Sequence, residues 1–117
     1  GLHRLGRQIP MKHAMEIALT GKFFDAQTAL DYGLVNRVVK QMNFGKESSE
    51  MLESLIECAP LALRATKQMI QKGLDASCLE EAYKNNYPEH DSMLASEDAL
   101  EGSRAFIEKR KPVWQGK

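Results

Sequence analysis

The residues best suited to chemistry lie near the C-terminus, where an aromatic ring precedes a run of three cations. Lys109, Arg110 and Lys111 are consecutive, and Phe106 lies three positions before the first of them. Cations in the last turn of a helix are stabilised by the helix dipole alone. Cationic side chains also bind phosphate, and a ring nearby offers a base or an acyl chain a surface. The residues alone leave both interpretations open.

The sequence predicts structural roles for the remaining reactive side chains. His13 and Glu16 are three apart on a predicted helix, but a metal site needs a second pair of ligands, so a solvated pair is the better interpretation. Cys58 has no basic neighbour and is predicted to be a buried structural thiol. Cys78 follows a capping serine at a helix start, which lowers its thiol pKa somewhat, and a structural thiol is again favoured. His90 lies in a hydrophilic run typical of a solvated face.

Two further patterns are incomplete as catalytic motifs. Residues 1–6, GLHRLG, have the glycine spacing of a phosphate loop, but the lysine and hydroxyl residue that should follow are missing, so a helix start is predicted. No serine lies in a nucleophile-elbow pattern. The sequence therefore predicts no catalytic residue and no metal site of its own.

Composition restricts the class of protein. The chain has 117 residues, 43% hydrophobic and 27% charged, which fits one small globular domain. Sixteen basic residues balance sixteen acidic ones, which argues against binding to nucleic acid or to an anionic membrane. No apolar run approaches the roughly 20 residues of a bilayer-spanning helix, and no secretory signal is visible. Two cysteines without CxxC spacing predict a reducing, cytoplasmic setting, with an organelle matrix also compatible.

Apolar periodicity predicts a mainly α fold of about six helices and one short strand. Helices are expected after Pro10, after Asp25, around residues 52–59, from Pro60, from a Ser77–Glu80 capping box and from Ser96. The capping-box helix is expected to include Tyr87, with Pro88 limiting or kinking it, and Pro112 is expected to end the last helix. The β-branched residues 34–39 predict the strand, and residues 41–46 a loop. Several helices place small residues on their apolar faces, which favours close packing against another domain or subunit; these are Ala14, Ala18, Ala26, Ala29, Ala62 and Ala65.

Three ordered blocks resemble one family. Residues 19–36 read LTGKFFDAQTALDYGLVN, residues 60–67 read PLALRATK, and residues 96–112 read SEDALEGSRAFIEKRKP. Together they resemble the C-terminal part of the crotonase, or enoyl-CoA hydratase/isomerase, superfamily, and the likeness covers the whole chain. The closing PVWQG of residues 112–116 is similar to bacterial hydratases and to carnitinyl-CoA dehydratase-like members.

The resemblance implies that this chain is the C-terminal helical part of an α/β fold. Residues 1–40 would end the core, and residues 41–117 would form a helical region for trimerisation and for covering CoA. Residues 1–5 look like the end of the segment that follows the second catalytic glutamate of the hydratases. Both glutamates and both oxyanion amides would then lie upstream, so no catalytic residue is carried over and the chain alone is predicted to be inactive.

The resemblance assigns two residues to ligand binding. Phe106 and Lys109 match positions that approach bound CoA from the terminal helix in family members, often across a subunit interface. The implied partners are an acyl-CoA substrate and further copies of the chain, as a trimer or a dimer of trimers. No cofactor beyond the CoA thioester and no metal are expected.

The sequence alone is compatible with three functions. The first is the C-terminal segment of an acyl-CoA enzyme that stabilises an enolate oxyanion, with its catalytic residues upstream. The second is a non-catalytic module for CoA binding or oligomerisation, and the third is a helical protein-interaction domain without CoA affinity. The sequence does not distinguish hydration from isomerisation or dehydration, because that choice depends on the upstream carboxylates.

Overall fold

Eight α-helices and one 3₁₀ turn make up the regular structure of the chain. The computed structural model describes residues 1–117. The helices are α1 (Leu2–Gln8), α2 (Met11–Thr20), α3 (Ala26–Asp31), α4 (Phe44–Ile56), α5 (Pro60–Asp75), α6 (Leu79–Lys84), α7 (Pro88–Leu94) and α8 (Glu97–Glu108), and the 3₁₀ turn is Gln41–Asn43. The mainly α class agrees with the prediction, but there are more helices than the six expected. The chain divides into two compact units, Gly1–Glu47 and Ser48–Lys117.

Local capping explains the helix ends of the first unit. α2 ends at Gly21, whose φ of 60° is left-handed and whose N–H donates to the Ile17 carbonyl at 3.1 Å. α3 begins at Asp25, whose carboxylate accepts from the Thr28 N–H at 2.8 Å. That bond lowers the pKa of Asp25. These are the predicted termini, because each depends only on residues within one turn.

The predicted strand is wrong. Residues 34–39 form bends and irregular backbone, and the chain has no strand anywhere. The Leu34 N–H instead donates to the Ala29 carbonyl at 2.8 Å, which closes the end of α3. β-branched side chains pack well on a pleated sheet, which is why the sequence predicts a strand for this segment. A strand also needs a neighbouring strand to form its backbone hydrogen bonds. This chain supplies no neighbouring strand.

Two helix starts also differ from the prediction. Residues 41–46 are not a loop, because the 3₁₀ turn leads into α4 at Phe44 and Gly45 lies inside that helix. The capping pair at α6 is shifted by one residue. Cys78 is the N-cap, and the Glu81 carboxylate, rather than Glu80, accepts from the Ser77 N–H at 2.8 Å.

The helix predicted through Tyr87 is shorter than expected, and a second helix follows it. α6 ends at Lys84, and Pro88 takes the first position of α7, where its missing N–H costs nothing. The Tyr87 hydroxyl donates to the Ala82 carbonyl at 2.6 Å and ties the connection down. Proline therefore starts a new helix here instead of kinking the preceding one.

α5 is the element against which α6 and α7 pack in the second unit. Arg64 forms an ion pair with Glu89 at 3.0 Å, and the Gln68 amide oxygen accepts from the Glu89 N–H at 3.2 Å. Lys72 donates to the Asn86 carbonyl at 3.3 Å. Polar contacts therefore fix one face of α5 against α7 and the segment before it.

Few apolar side chains are fully buried. Apart from Ile9, the buried apolar residues are all alanines, namely Ala14, Ala29, Ala65 and Ala105. The accessible surface is 9664 Å². A folded monomer of this mass exposes about 6,400 Å². The chain therefore leaves much more surface in solvent than a self-contained domain of its mass does, and many large apolar side chains are among the exposed residues.

Candidate functional site

Helix α8 carries both residues assigned to ligand binding. It begins at Ser96 as predicted, because the Ser96 hydroxyl accepts from the Ala99 N–H at 3.1 Å. It ends at Glu108, earlier than the predicted stop at Pro112. Phe106 lies in the last turn with its side chain 85% exposed. Lys109 follows the helix directly and is also exposed.

Lys109 has an unusual backbone conformation. Its φ of 54° and ψ of 38° are left-handed, and it is the one non-glycine residue of the chain with positive φ. The Lys109 N–H donates to the Phe106 carbonyl at 3.3 Å, and the Arg110 N–H donates to the Ala105 carbonyl at 3.1 Å. These two bonds form a Schellman motif, which closes the helix C-terminus. Glycine usually occupies this position, so a lysine here is a structural exception.

The three consecutive cations have different environments. Arg110 forms a bidentate pair with Glu101, Nη1 to Oε1 at 2.5 Å and Nη2 to Oε2 at 2.9 Å, and its Nε donates to Glu108 at 2.6 Å. Lys111 pairs with Glu57 at 3.2 Å. Lys109 forms no ion pair. Of the three charges, only that of Lys109 is therefore available to an anionic ligand, and it lies three positions after the exposed Phe106.

The two bonds between Glu101 and Arg110 form an ion pair that we call the fork, and they shift the pKa values of both groups. The Arg110 guanidinium, followed by the Val113 N–H at 2.9 Å, lowers the pKa of Glu101 from 4.5 to about 2. The carboxylates of Glu101 and Glu108 in turn raise the pKa of Arg110. Both partners therefore stay ionised throughout the physiological range.

The residues after α8 fold back along it, and we call residues 110–117 the C-terminal strap. Asp98, only 3% exposed, accepts from the N–H groups of Gln115 and Gly116, both at 2.8 Å. The Lys117 carbonyl in turn accepts from the Glu97 and Asp98 N–H groups, at 2.9 and 3.3 Å. Sequence reasoning placed Asp98 only in the first helical turn. No local spacing reveals its role, because its partners lie 17 and 18 residues away.

Trp114 anchors the middle of the strap. Its Nε1 donates to the Glu57 carbonyl at 2.8 Å. Its ring lies over Gly102, where an added Cβ would stand 3.3 Å from the ring atom Cη2. A Cβ here would push the indole by a few tenths of an ångström, so the close approach of the ring favours glycine.

The Glu101–Arg110 fork should make the second unit sensitive to acid. Because the pKa of Glu101 is depressed in the folded chain, its stabilising contribution is present above about pH 4.5 and is lost as pH falls towards about 2. We expect the difference in urea midpoint between wild type and Glu101→Gln to be largest near pH 7 and to shrink steadily below pH 4.5. A difference that stays constant over this range would contradict the assignment.

The other groups considered from sequence take structural positions. His13 is half-buried and stacks on Tyr32 with ring centroids 3.8 Å apart, and Glu16 is exposed to solvent. Cys58 is exposed, so its predicted burial is wrong; its thiol donates to the Ser54 carbonyl at 3.4 Å. Cys78 is exposed at the start of α6, where the Glu81 N–H lowers its pKa in the predicted direction. His90 lies 3.7 Å from the Asp91 carboxylate.

An apolar groove of about 610 Å³ lies between α5, α6 and α7. Ile70, Leu74, Leu79 and Tyr83 line it, and each has a largely exposed side chain. No three histidine, cysteine, aspartate or glutamate side chains of the chain converge as metal ligands. None of its helices is both long enough and apolar enough to cross a membrane.

Comparison with known proteins identifies the family. The sequence model of the enoyl-CoA hydratase/isomerase family matches residues 1–117. The chain belongs to this family. Among curated members, the carnitinyl-CoA dehydratases of Citrobacter koseri and Salmonella typhi are each 40% identical over 124 aligned positions, which cover 100% of this chain and 46% of theirs. The chain thus spans about half the length of the curated relatives it matches.

Solved structures of enoyl-CoA hydratases share this fold. The Bacillus anthracis enzyme aligns with a TM-score of 0.91 at 32% identity, covering 99% of this chain and 45% of its own. The enzyme of Mycobacterium tuberculosis H37Rv aligns with a TM-score of 0.90 at 33% identity, covering 99% and 46%. This member of the hydratase/isomerase family therefore has the helical architecture found in part of those enzymes.

Proposed function

We propose that the chain is the C-terminal part of an enzyme that acts on acyl-CoA thioesters, and that its own role is to hold the CoA portion with Phe106 and Lys109. The observation that carries the proposal is that the end of α8 presents an exposed Phe106 ring and, three positions later, a Lys109 without an ion pair. A lysine meets a phosphate as a compact charge, and an exposed ring offers a surface to the base or the acyl chain.

The chemistry would come from the portion of the parent enzyme that this chain does not contain. In the proposed mechanism, two backbone amides polarise the thioester carbonyl and stabilise the charge that develops on the enolate oxygen. Carboxylates then transfer protons at the α and β carbons. The carboxylates of Glu101 and Glu108 are both bonded to Arg110, so neither is free to transfer protons, and we propose that the chain is inactive alone. Hydration, isomerisation and dehydration remain alternatives for the parent.

We also propose that the parent protein is a homo-oligomer, a trimer or a dimer of trimers, located in the cytoplasm. Support for contacts beyond this chain comes from its accessible surface, which is about half as large again as a monomer of this mass exposes and which the rest of the parent protein or further copies would cover. Large apolar side chains contribute much of it, among them Phe44, Ile56, Ile70, Leu79 and Ile107. The same surface favours the second candidate, a non-catalytic module for CoA binding or oligomerisation. Catalytic turnover by the parent protein, together with CoA binding by this chain, would favour the first candidate, the C-terminal part of an acyl-CoA enzyme.

Calorimetric titration of the 117-residue chain with coenzyme A tests the proposal. Lys109→Ala should weaken CoA binding about tenfold, since a hydrogen-bonded contact to a charged group contributes on the order of 1.5 kcal/mol. Affinity for pantetheine, which lacks the nucleotide phosphates, should not change. Phe106→Ala should weaken CoA binding by about the same factor through lost contact area.

The matched control is Lys111→Ala, which removes an adjacent charge that Glu57 already pairs. It should weaken CoA binding much less than Lys109→Ala. Equal losses in the two variants, or wild-type affinity in Lys109→Ala, would refute the role of Lys109. Hydration of crotonyl-CoA by the pure chain would refute the proposed absence of catalytic residues.

A further inference from the structure

We propose that Glu101 is a positioning residue that holds Lys109 in its left-handed conformation and keeps its ammonium unpaired for an anionic ligand. This inference rests on the proposed function, because it assigns the ligand-facing role to Lys109. Glu101 itself lies in α8, two turns before that lysine, and is the acceptor in a fork with Arg110 and the backbone of the strap.

The starting observation is the backbone of Lys109. A left-handed conformation brings Cβ close to the following carbonyl, so side-chain-bearing residues adopt it rarely and glycine adopts it freely. Such a conformation persists only where the surrounding structure determines it, and such positions are concentrated at functional sites. The Schellman bonds close the helix end locally, and the residues beyond Lys109 add a further restraint on its backbone.

Glu101 provides that restraint from the residues just beyond Lys109. Its two carboxylate oxygens bind both terminal nitrogens of Arg110, and Oε1 also accepts from the Val113 N–H at 2.9 Å. Glu101 is thus bonded to the residue next to Lys109 and to one four positions on. These bonds tie the residues on the C-terminal side of Lys109 back to α8, which keeps the chain on the course that the left-handed turn gives it.

The same fork controls the charge of the site. Glu108 directly precedes Lys109 and is the acidic residue closest to it along the chain. Its carboxylate accepts from Nε of Arg110, whose guanidinium Glu101 holds in place. Removing the Glu101 charge loosens the guanidinium and releases Glu108 to neutralise Lys109. Glu101 therefore acts on the ligand through Lys109 and does not touch it.

The test is Glu101→Gln in the 117-residue chain, read in two ways. The first is the intraresidue HN–Hα nuclear Overhauser contact of Lys109, which is strong at positive φ and should weaken in the variant. The second is CoA affinity, which should fall about fivefold to tenfold while pantetheine affinity stays constant. The matched control Glu97→Gln removes a carboxylate from the same helix that lies 3.9 Å from Lys117, and should change neither readout.

A double variant separates positioning from general damage. In the Lys109→Ala background, Glu101→Gln should cause no further loss of CoA affinity. Glu101→Asp, which keeps the charge with a shorter reach, should give intermediate values and serves as the second variant if Glu101→Gln loses helix content. An unchanged Overhauser contact in Glu101→Gln, or additive losses in the double variant, would overturn the inference. Failure of wild type to bind CoA would instead refute the proposed function, while the Overhauser contact still reports on Glu101.

Discussion

Replacing Asp98 with alanine is expected to detach the end of the C-terminal strap from α8 and to lower the free energy of unfolding of the second unit by about 2–4 kcal/mol. Asp98 is almost fully buried and is the sole side-chain acceptor for the N–H groups of Gln115 and Gly116. Hydrogen bonds to a charged group contribute about 1.5–3 kcal/mol each, and their losses here overlap because both bonds share one carboxylate.

Hydrogen exchange gives the clearest measurement of this change. In the alanine variant, the amides of Gln115 and Gly116 should exchange far faster, and the urea midpoint should fall. Asp91→Ala is the matched control, because Asp91 is exposed and makes only a 3.7 Å contact with His90. Asp98→Asn, which keeps one carbonyl acceptor, should lie between wild type and alanine. Protected amides in Asp98→Ala would show that other contacts hold the strap.

Replacing Gly102 with leucine should displace Trp114 and destabilise the second unit by about 1–3 kcal/mol. A Cβ at this position already stands 3.3 Å from the indole, so a branched side chain leaves no room for the ring. Moving the ring also breaks the bond from its Nε1 to the Glu57 carbonyl. Leucine is a better helix former than glycine by somewhat less than about 1 kcal/mol, so the net loss understates the steric effect.

Tryptophan fluorescence measures this displacement directly, because Trp114 is the one tryptophan in the chain. Emission should shift to the red as the ring enters solvent. Ser103→Leu is the matched control, since Ser103 is exposed on the same helix and receives the same apolar side chain without the contact. It should leave emission unchanged and stability equal or slightly higher. Wild-type emission from Gly102→Leu would mean that the ring does not depend on the glycine.

Local signals predicted much of this fold. The caps at Asp25 and Ser96 and the stop at Gly21 follow from hydrogen bonds within one helical turn. The strand prediction failed because pairing depends on a second strand, which no local window can reveal. Pro88 shows the same limit, because one residue type both ends and begins helices and the choice depends on packing.

The site was predicted less completely than the helices. The family resemblance pointed to Phe106 and Lys109, and the structure brings both to the end of α8. Their assignment to CoA stays a prediction. What the sequence does not show is that Arg110 and Lys111 are already paired and that Lys109 is not. Those pairings depend on Glu101 and Glu57, which lie 9 and 54 residues before their partners.

The C-terminal strap is attached at two points, and the contacts at these points enclose loops of different length. Asp98 reaches its partners across 17 and 18 residues, whereas Trp114 meets Glu57 across 57. The longer closure costs about 1 kcal/mol more conformational entropy, so we expect the contacts with α8 to form before the indole reaches Glu57. During unfolding we expect the reverse order, with the bond from the indole to Glu57 released before the contacts with α8.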